Sequence, residues 1–584
     1  MAEQLLEEQR ENWGSRPGFV LAAIGSAVGL GNLWRFPYEA YNNGGGAFLI
    51  PYAIAMIVIG IPMLILEFSL GHMTQRAAPE AYGHLKPKWR WLGWWPICMS
   101  LVIICYYSVV LAWSVNYLAY SFNLSWGDNA VAFFLKEHLN YHAEYWSLGG
   151  IQWHVVLALG AVWLGMYLCI FKGVKLVSKI VLWTVPLPWL MLVIIIIRGL
   201  TLEGAVSGLE YYLEPDWAQL LRPKVWQTAF GQVFFSMTLA FGVMITYASF
   251  LHRKSDINNN ALIVGLSDVG TSFAAGLAVF SVVGFLALQT TTANAKIMSV
   301  EASKLPEVQA AVNAQQAKGL TGEKLLAMEP TPANAAKFKL SPPQFRKLQE
   351  GVRTKKLDIS KLNVTPDKVI GTGGGGLAFM TFPTALKLLP WANFFAIIFF
   401  VALMLLGIDS AFSMLEAGLA SIVDKTHWPR SRVLPVICVL GFLAGLVFCT
   451  RSGDPWLTTL DHYVNSYFGV LAIGLIECLA LGWIFDIKKL RAHANERSDW
   501  QIGKWWEWNI KIVIPVILVV ITTWTLYSDL TGSGGDGDKF MFVKEGRPVW
   551  HNILGGSFVL LLPVVAVVIA FVGRNRLRAR AQTE

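Results

Sequence analysis

The sequence predicts an all-α integral membrane protein of twelve transmembrane helices, arranged as an inverted five-helix repeat with spans 1 and 6 broken at mid-membrane. Three observations carry this. Of 584 residues, 55% are hydrophobic and only 15% charged, well below the quarter charged residues of a soluble protein. Apolar runs of about 20 residues, the length of a membrane-spanning helix, recur from end to end. Two of those runs, the first and the sixth, carry residues that an unbroken helix accommodates poorly.

The first break is Gly25-Ser-Ala-Val-Gly-Leu-Gly-Asn-Leu-Trp-Arg-Phe-Pro37. Glycine weakens a helix and Pro37 has no backbone N–H. Unpaired backbone groups are tolerated in a membrane only where protein or water lines them. A helix broken at that depth offers carbonyls to a cation and N–H groups to an anion, so the stretch reads as a binding site. In the sixth run, Phe235-Ser-Met-Thr-Leu-Ala-Phe-Gly242 places Ser236 and Thr238 two apart, on different faces of a regular helix. Matching breaks five spans apart point to a solute site between inverted repeats. For span 6 alone, hydroxyls bonded back to the i−4 carbonyl explain the sequence as well.

In order, residues 1–16 form a polar cytoplasmic tail with no cleavable signal, so the first span is expected to direct its own insertion. Spans follow at about 17–41, to about 70, then at 92–121, 153–171, 176–198, 225–251 and 259–288. The chain from about 291 to 375 is polar, with helical periodicity in places, and reads as an extracytoplasmic insertion; its run Gly371–Gly376 lacks the ending of a phosphate loop and reads as a joint. Five more spans follow at about 391–422, 433–450, 464–485, 509–528 and 551–573. Residues 17–198 and 223–485 are thus the two repeats, 509–573 holds the last two spans and 574–584 is a basic tail.

Basic residues in the short loops (Arg76 to Arg90, Lys172 to Lys179, Arg253-Lys254, Lys425 to Arg432, Lys488 to Arg491) all fall on one side. They orient the chain in the plasma (cell inner) membrane with both termini cytoplasmic. They also account for the net charge of +9 without nucleic acid. The six cysteines lie in or beside apolar runs with no metal-ligand spacing, and read as small buried hydrophobes. Two sequons, at Asn123 and Asn363, fall outside.

Ionisable residues inside spans are costly and mark function. Here they are Arg35, Glu67, Asp268, Asp409, Glu416 and Glu477. An Asp at a helix centre costs roughly 2.5–3.5 kcal/mol. Asp268 and Asp409, each with hydroxyls near in sequence, suit a small hard cation. A purely structural pairing that locks helices stays open for each.

Gly-Leu-Gly-Asn-Leu-Trp-Arg-Phe-Pro-Tyr at 29–38, Asn-Gly-Gly-Gly-Ala-Phe at 43–48, Gln-Val-Phe-Phe-Ser at 232–236 and Gly-Ile-Asp-Ser at 407–410 resemble the neurotransmitter:sodium symporter family, in the form of its bacterial amino-acid members. The resemblance covers nearly the whole chain outside 291–375. It implies a sodium-coupled symporter, not an enzyme, that imports a neutral, hydrophobic amino acid by alternating access. A ligand-responsive channel or a transport-incompetent sensor of the same fold is the alternative. The expected partners are the amino acid, sodium and the lipid bilayer; a homodimer is left open.

Carried over by residue, the resemblance implies a first sodium at Ala27, Asn32, Ser236 and Asp268. A second would meet the carbonyls of Gly25, Val28 and Leu406 with the Asp409 and Ser410 side chains. Substrate carboxylate would be held at Ser26, Leu30, Gly31 and the Tyr107 hydroxyl, and its amine by the carbonyls of Phe235 and Ser236 near Ala27 and Thr238. Its side chain would meet Ile103, Phe235, Thr238, Phe241, Ser410 and Met414. Monoamine carriers place Asp where this chain has Gly29, so an amino acid is expected. Ser272 matches a chloride ligand, but Asp268 already supplies a negative charge, so chloride is not required. The expected gates are Arg35 with Asp461 under a Tyr107–Phe241 lid outside, and Arg10 with Asp424 and the Trp13 plug inside. Two departures stand out: Phe250 where a gate tyrosine is usual, and Ala240 where relatives often have glycine, which is expected to narrow the pocket.

Overall fold

A computed structural model describes residues 11–146, 148–359, 362, 364, 375–532, 540–544 and 547–572. Arg10, Asn363, Gly371 to Gly374 and the C-terminal basic tail lie outside the described residues. Span 1 starts where Ser15 accepts a hydrogen bond from the Gly18 N–H and Pro17 takes the first turn. Its first half is Arg16–Ala27, and its second half is a π-helical turn, Gly31–Arg35, followed by Phe36–Asn42. The halves meet at 46°. Asn32 fastens the new start by accepting the Gly29 N–H at 2.9 Å.

Span 6 is also broken. Pro223–Ser236 and Val243–Ala248 flank a non-helical stretch in which Thr238 (φ 55°), Ala240 (φ 62°) and Gly242 (φ 71°) are all left-handed. Left-handed backbone strains any residue but glycine, and two of these three are not glycine. Neighbours hold the stretch open: the Ala240 N–H donates to Glu67 Oε1 at 2.7 Å, and Ser100 Oγ donates to the Phe241 carbonyl at 2.8 Å.

Among the described residues, nine helices are long and apolar enough to cross a membrane, and up to eleven if each of two bent pairs counts once. Span 6 fails that test because its pieces are short. Spans 3 (Pro87–Ser121) and 7 (Ile257–Met298) have 83% and 78% of their apolar windows buried. Spans 5 (Val174–Leu200) and 9 (Arg430–Cys449) have 28% each, and spans 11 (Lys504–Thr531) and 12 (Trp550–Phe571) 33%. Spans 3 and 7 are therefore central, and the others offer apolar faces outward.

Several boundaries differ from the expectation. Span 2 (Gly46–Thr74) continues past residue 70, and span 8 is Ala392–Thr426. Span 10 begins earlier, as Gly453–Val464, pauses, and resumes as Val470–Ile484 before the chain turns by 94° into Ile487–Asn495. Span 7 runs ten residues beyond the expected 288. It ends inside the polar insertion, whose helical periodicity appears as a small helical subdomain. Leu305–Gln316, Gly322–Ala327, Pro332–Ala336 and Pro342–Arg353 enclose their own core of Leu305, Val312, Phe338, Phe345 and Leu348, shared with Ala295 and Met298 of span 7. Its surface is polar enough to hide that core from a hydropathy reading. A short hairpin, Val543–Lys544 with Arg547–Pro548, precedes span 12.

Candidate functional site

The two breaks face each other. Thr238 Oγ1 donates to the Ser26 carbonyl at 2.8 Å, so the unwound stretch of span 6 is tied to the last turn before the break in span 1. Ser410 Oγ of span 8 reaches the carbonyls of Gly25 at 3.1 Å and Ser26 at 3.2 Å, and the Ser26 and Ser413 hydroxyls lie 2.8 Å apart. Between these elements and span 3 lies one cavity. Its lining comprises all twelve residues expected to touch the amino acid, from Ser26 and Ala27 through Ile103, Tyr107 and Phe235 to Met414, and Gly29 besides. The Leu30 N–H points to the Tyr107 hydroxyl at 3.5 Å. A Cβ at Gly29 would stand 2.5 Å from Ser410 Oγ and 3.3 Å from the Tyr107 hydroxyl, so no side chain fits there. Ala240 is not in the lining; its departure from glycine falls on the left-handed backbone behind the cavity, not on the pocket's width.

Beside the cavity, three of the four residues expected at the first sodium converge. Asp268 is fully buried; its Oδ1 accepts from Asn32 Nδ2 at 2.7 Å and its Oδ2 from Ser236 Oγ at 3.0 Å. Ala27, the fourth, lines the adjoining cavity. Tyr52 of span 2 was missed: its hydroxyl lies 3.0 Å from both Asp268 Oδ2 and Ser272 Oγ. A lone tyrosine in the apolar run of span 2 gave no sequence signal. The Asn32 oxygen, meanwhile, is taken by the Gly29 N–H.

The second set lies where spans 1, 5 and 8 meet. Asp409 is 2% exposed, and its Oδ2 would sit 3.1 Å from a Cβ on Gly25. Leu406 lies one helical turn before Ser410 in span 8, and Val28 ends the first half of span 1. Thr184 of span 5 was also missed; its hydroxyl donates to Asp409 Oδ1 at 2.8 Å. Its signal was faint: a polar residue two before Pro186. The oxygen-rich donor sets around Asp268 and Asp409 fit a small hard cation as cargo.

The gates differ in part. Arg35 is not paired with Asp461. It lies 3.8 Å from Glu39, one turn along its own helix, and its guanidinium sits 4.5 Å above the Phe235 ring. Asp461 instead accepts from the Tyr106 hydroxyl and from Asn465 Nδ2, both at 2.9 Å and both at Oδ1. The ring beneath Arg35 is thus Phe235, whereas the Phe241 carbonyl is held inward by Ser100. On the inner side Trp13 is buried, with Nε1 donating to the Tyr247 carbonyl at 3.0 Å and its N–H to the Phe250 carbonyl at 3.1 Å. The interaction at Phe250 uses backbone, so a phenylalanine serves. Asp424 Oδ2 accepts the Ala77 N–H at 2.8 Å. Glu11, which the sequence reading passed over, accepts the Val174 N–H at 3.1 Å and so anchors the tail at the start of span 5.

A family model described as the sodium:neurotransmitter symporter family matches residues 10–129 and 126–576. The chain belongs to this family. As a member it is a sodium-coupled membrane transporter and not an enzyme. An uncharacterized sodium-dependent transporter of Methanocaldococcus jannaschii is 33% identical over 566 residues, 96% of this chain and 97% of that one. A human sodium- and chloride-dependent taurine transporter is 29% identical over 551 residues, 88% of this chain and 77% of its own. A mouse sodium-dependent neutral amino acid transporter is 29% identical over 595 residues, 97% and 79% of the two chains.

Proposed function

We propose that this symporter imports a neutral, hydrophobic amino acid with two sodium ions, without chloride, by alternating access. The observation that carries the reading is the cavity between the two breaks, apolar on one side through Ile103, Phe241 and Met414, with no room for a side chain at Gly29. An uncharged pocket beside exposed backbone suits a zwitterion with an apolar side chain. The mouse relative's substrate class, neutral amino acids, agrees.

In this reading the substrate carboxylate completes the first sodium's ligands, so each stabilises the other's binding by the same free energy. Each positive charge moving inward gains about 2.3 kcal/mol per 100 mV. Repeats 17–198 and 223–485 supply the pseudo-symmetric halves, and rocking of spans 1, 2, 6 and 7 opens each face in turn. The chain sits in the plasma membrane with its termini cytoplasmic. Phe235 under Arg35 closes the outer path and Trp13 the inner one.

The test is uptake of labelled neutral amino acids into proteoliposomes under an inward sodium gradient, with potassium in place of sodium as control. Concentrative, sodium-dependent uptake supports the symporter. Uptake that never passes equilibrium indicates a channel, and sodium-dependent binding without uptake a sensor.

A further inference from the structure

Asp409 is a buried carboxylate, and buried charge requires partners that hold it in place. Thr184 on span 5 is such a partner, a residue outside every motif that marks the site. Its hydroxyl has a single proton, and that proton faces Asp409 Oδ1 at 2.8 Å in preference to the Ile180 carbonyl at 3.3 Å. The bond uses one carboxylate oxygen and leaves Oδ2 turned toward Gly25.

The location gives the bond its meaning. Span 5 is two helical pieces, Val174–Thr184 and Pro186–Leu200, and Thr184 is the last residue of the first. Pro186 and Pro188 have no N–H, so carbonyls of the turn that ends at Thr184 lose helical partners there. The break also touches span 1: a Cβ on Gly25 would stand 2.8 Å from Val185 Cγ2. The proline-containing turn of span 5 therefore abuts the first half of span 1 close to Asp409.

We propose that Thr184 is a positioning residue for the second sodium: its hydroxyl fixes the Asp409 carboxylate so that the other oxygen is presented to a cation beside the Gly25 carbonyl. The proposal rests on the reading of Asp409 as a sodium ligand. A bond that pre-orients a ligand lowers the ordering cost of binding. It also places a sodium ligand under the control of span 5, so movement of Val174–Thr184 changes the grip on the ion.

The test is saturable binding of labelled sodium to the purified full-length chain in detergent, for wild type, Thr184→Val, Thr184→Ala and Thr184→Ser, with Asp409→Ala as reference. Hydrogen bonds to charged groups are strong enough that Thr184→Val and Thr184→Ala should each raise the sodium concentration for half-saturation about tenfold or more. Thr184→Ser keeps the hydroxyl and should bind as wild type does. Melting curves without sodium establish that the variants fold, and the alanine variant serves if valine does not. Wild-type affinity in both hydroxyl-free variants overturns the proposal, as does a serine variant as weak as valine, which would assign the effect to packing. Wild type that binds sodium with an affinity unchanged in Asp409→Ala removes the underlying site reading instead.

Discussion

Asn32 Nδ2 lies 2.7 Å from Asp268 Oδ1, joining the second half of the broken span 1 to the centre of span 7. Tyr52 and Ser236 donate to the other oxygen, so a carboxylate is surrounded by three donors at the proposed first ion. In the chloride-independent reading proposed above, this carboxylate supplies the negative charge beside the first ion. Asp268→Asn keeps the shape and removes the charge. Uptake should then fall in chloride-free medium and recover with added chloride, while wild type is indifferent. Replacement of chloride by gluconate in a vesicle assay is the check.

Gly29→Ala adds one methyl group that would stand 2.5 Å from Ser410 Oγ. Real Cβ atoms do not approach so closely, and the obstacle lies within the cavity itself. Amino-acid binding should drop by at least tenfold, with the melting temperature nearly unchanged. Equilibrium binding and a thermal melt on the same preparation separate the two effects.

Glu67 satisfies the N–H of Ala240 in the strained stretch of span 6. Glu67→Leu leaves that donor buried and unpaired, at a cost of about 1–3 kcal/mol. Glu67→Gln retains an acceptor and should cost much less. Paired melting curves should rank wild type, glutamine and leucine in that order.

In the loop between spans 3 and 4, His138 is buried among Tyr117, Tyr120 and Phe134. Burial, aided by His154, pushes its pKa down from 6.5 to about 3. The folded chain therefore holds this imidazole neutral while the unfolded chain protonates it. Its stabilising contribution is full above pH 6.5 and is lost progressively as pH falls from there toward 3. His138→Phe should flatten that part of the melting-temperature profile between pH 7 and 4.

The sequence made the breaks legible because glycine, proline and mid-span polar residues conflict with helix in lipid. Those same conflicts mark the cavity, whose expected lining residues the structure brings together. Thr184 and Tyr52 escaped because one polar side chain in an apolar run is chemically ordinary until its partner is known. Arg35 and Asp461 were linked by resemblance alone; Tyr106 and Asn465, which both bond to Asp461 Oδ1, are invisible to a comparison of charges. Helical periodicity in the insertion was legible, but its core was not: it is small, spread over four short helices, and partly borrowed from span 7.

That borrowing has a mechanical side. Span 7 is one helix of 42 residues, about 63 Å at about 1.5 Å per residue, roughly twice the hydrocarbon thickness of a bilayer. Its C-terminal end is packed into the subdomain through Ala295 and Met298. The subdomain is the tip of a pointer pivoted in the membrane: a tilt of about 10° over that length would sweep the tip by several ångströms or more. A pair of fluorophores, one on the subdomain and one on the loop between spans 3 and 4, would turn a small rotation beside Asp268 into a change of distance that energy transfer reads.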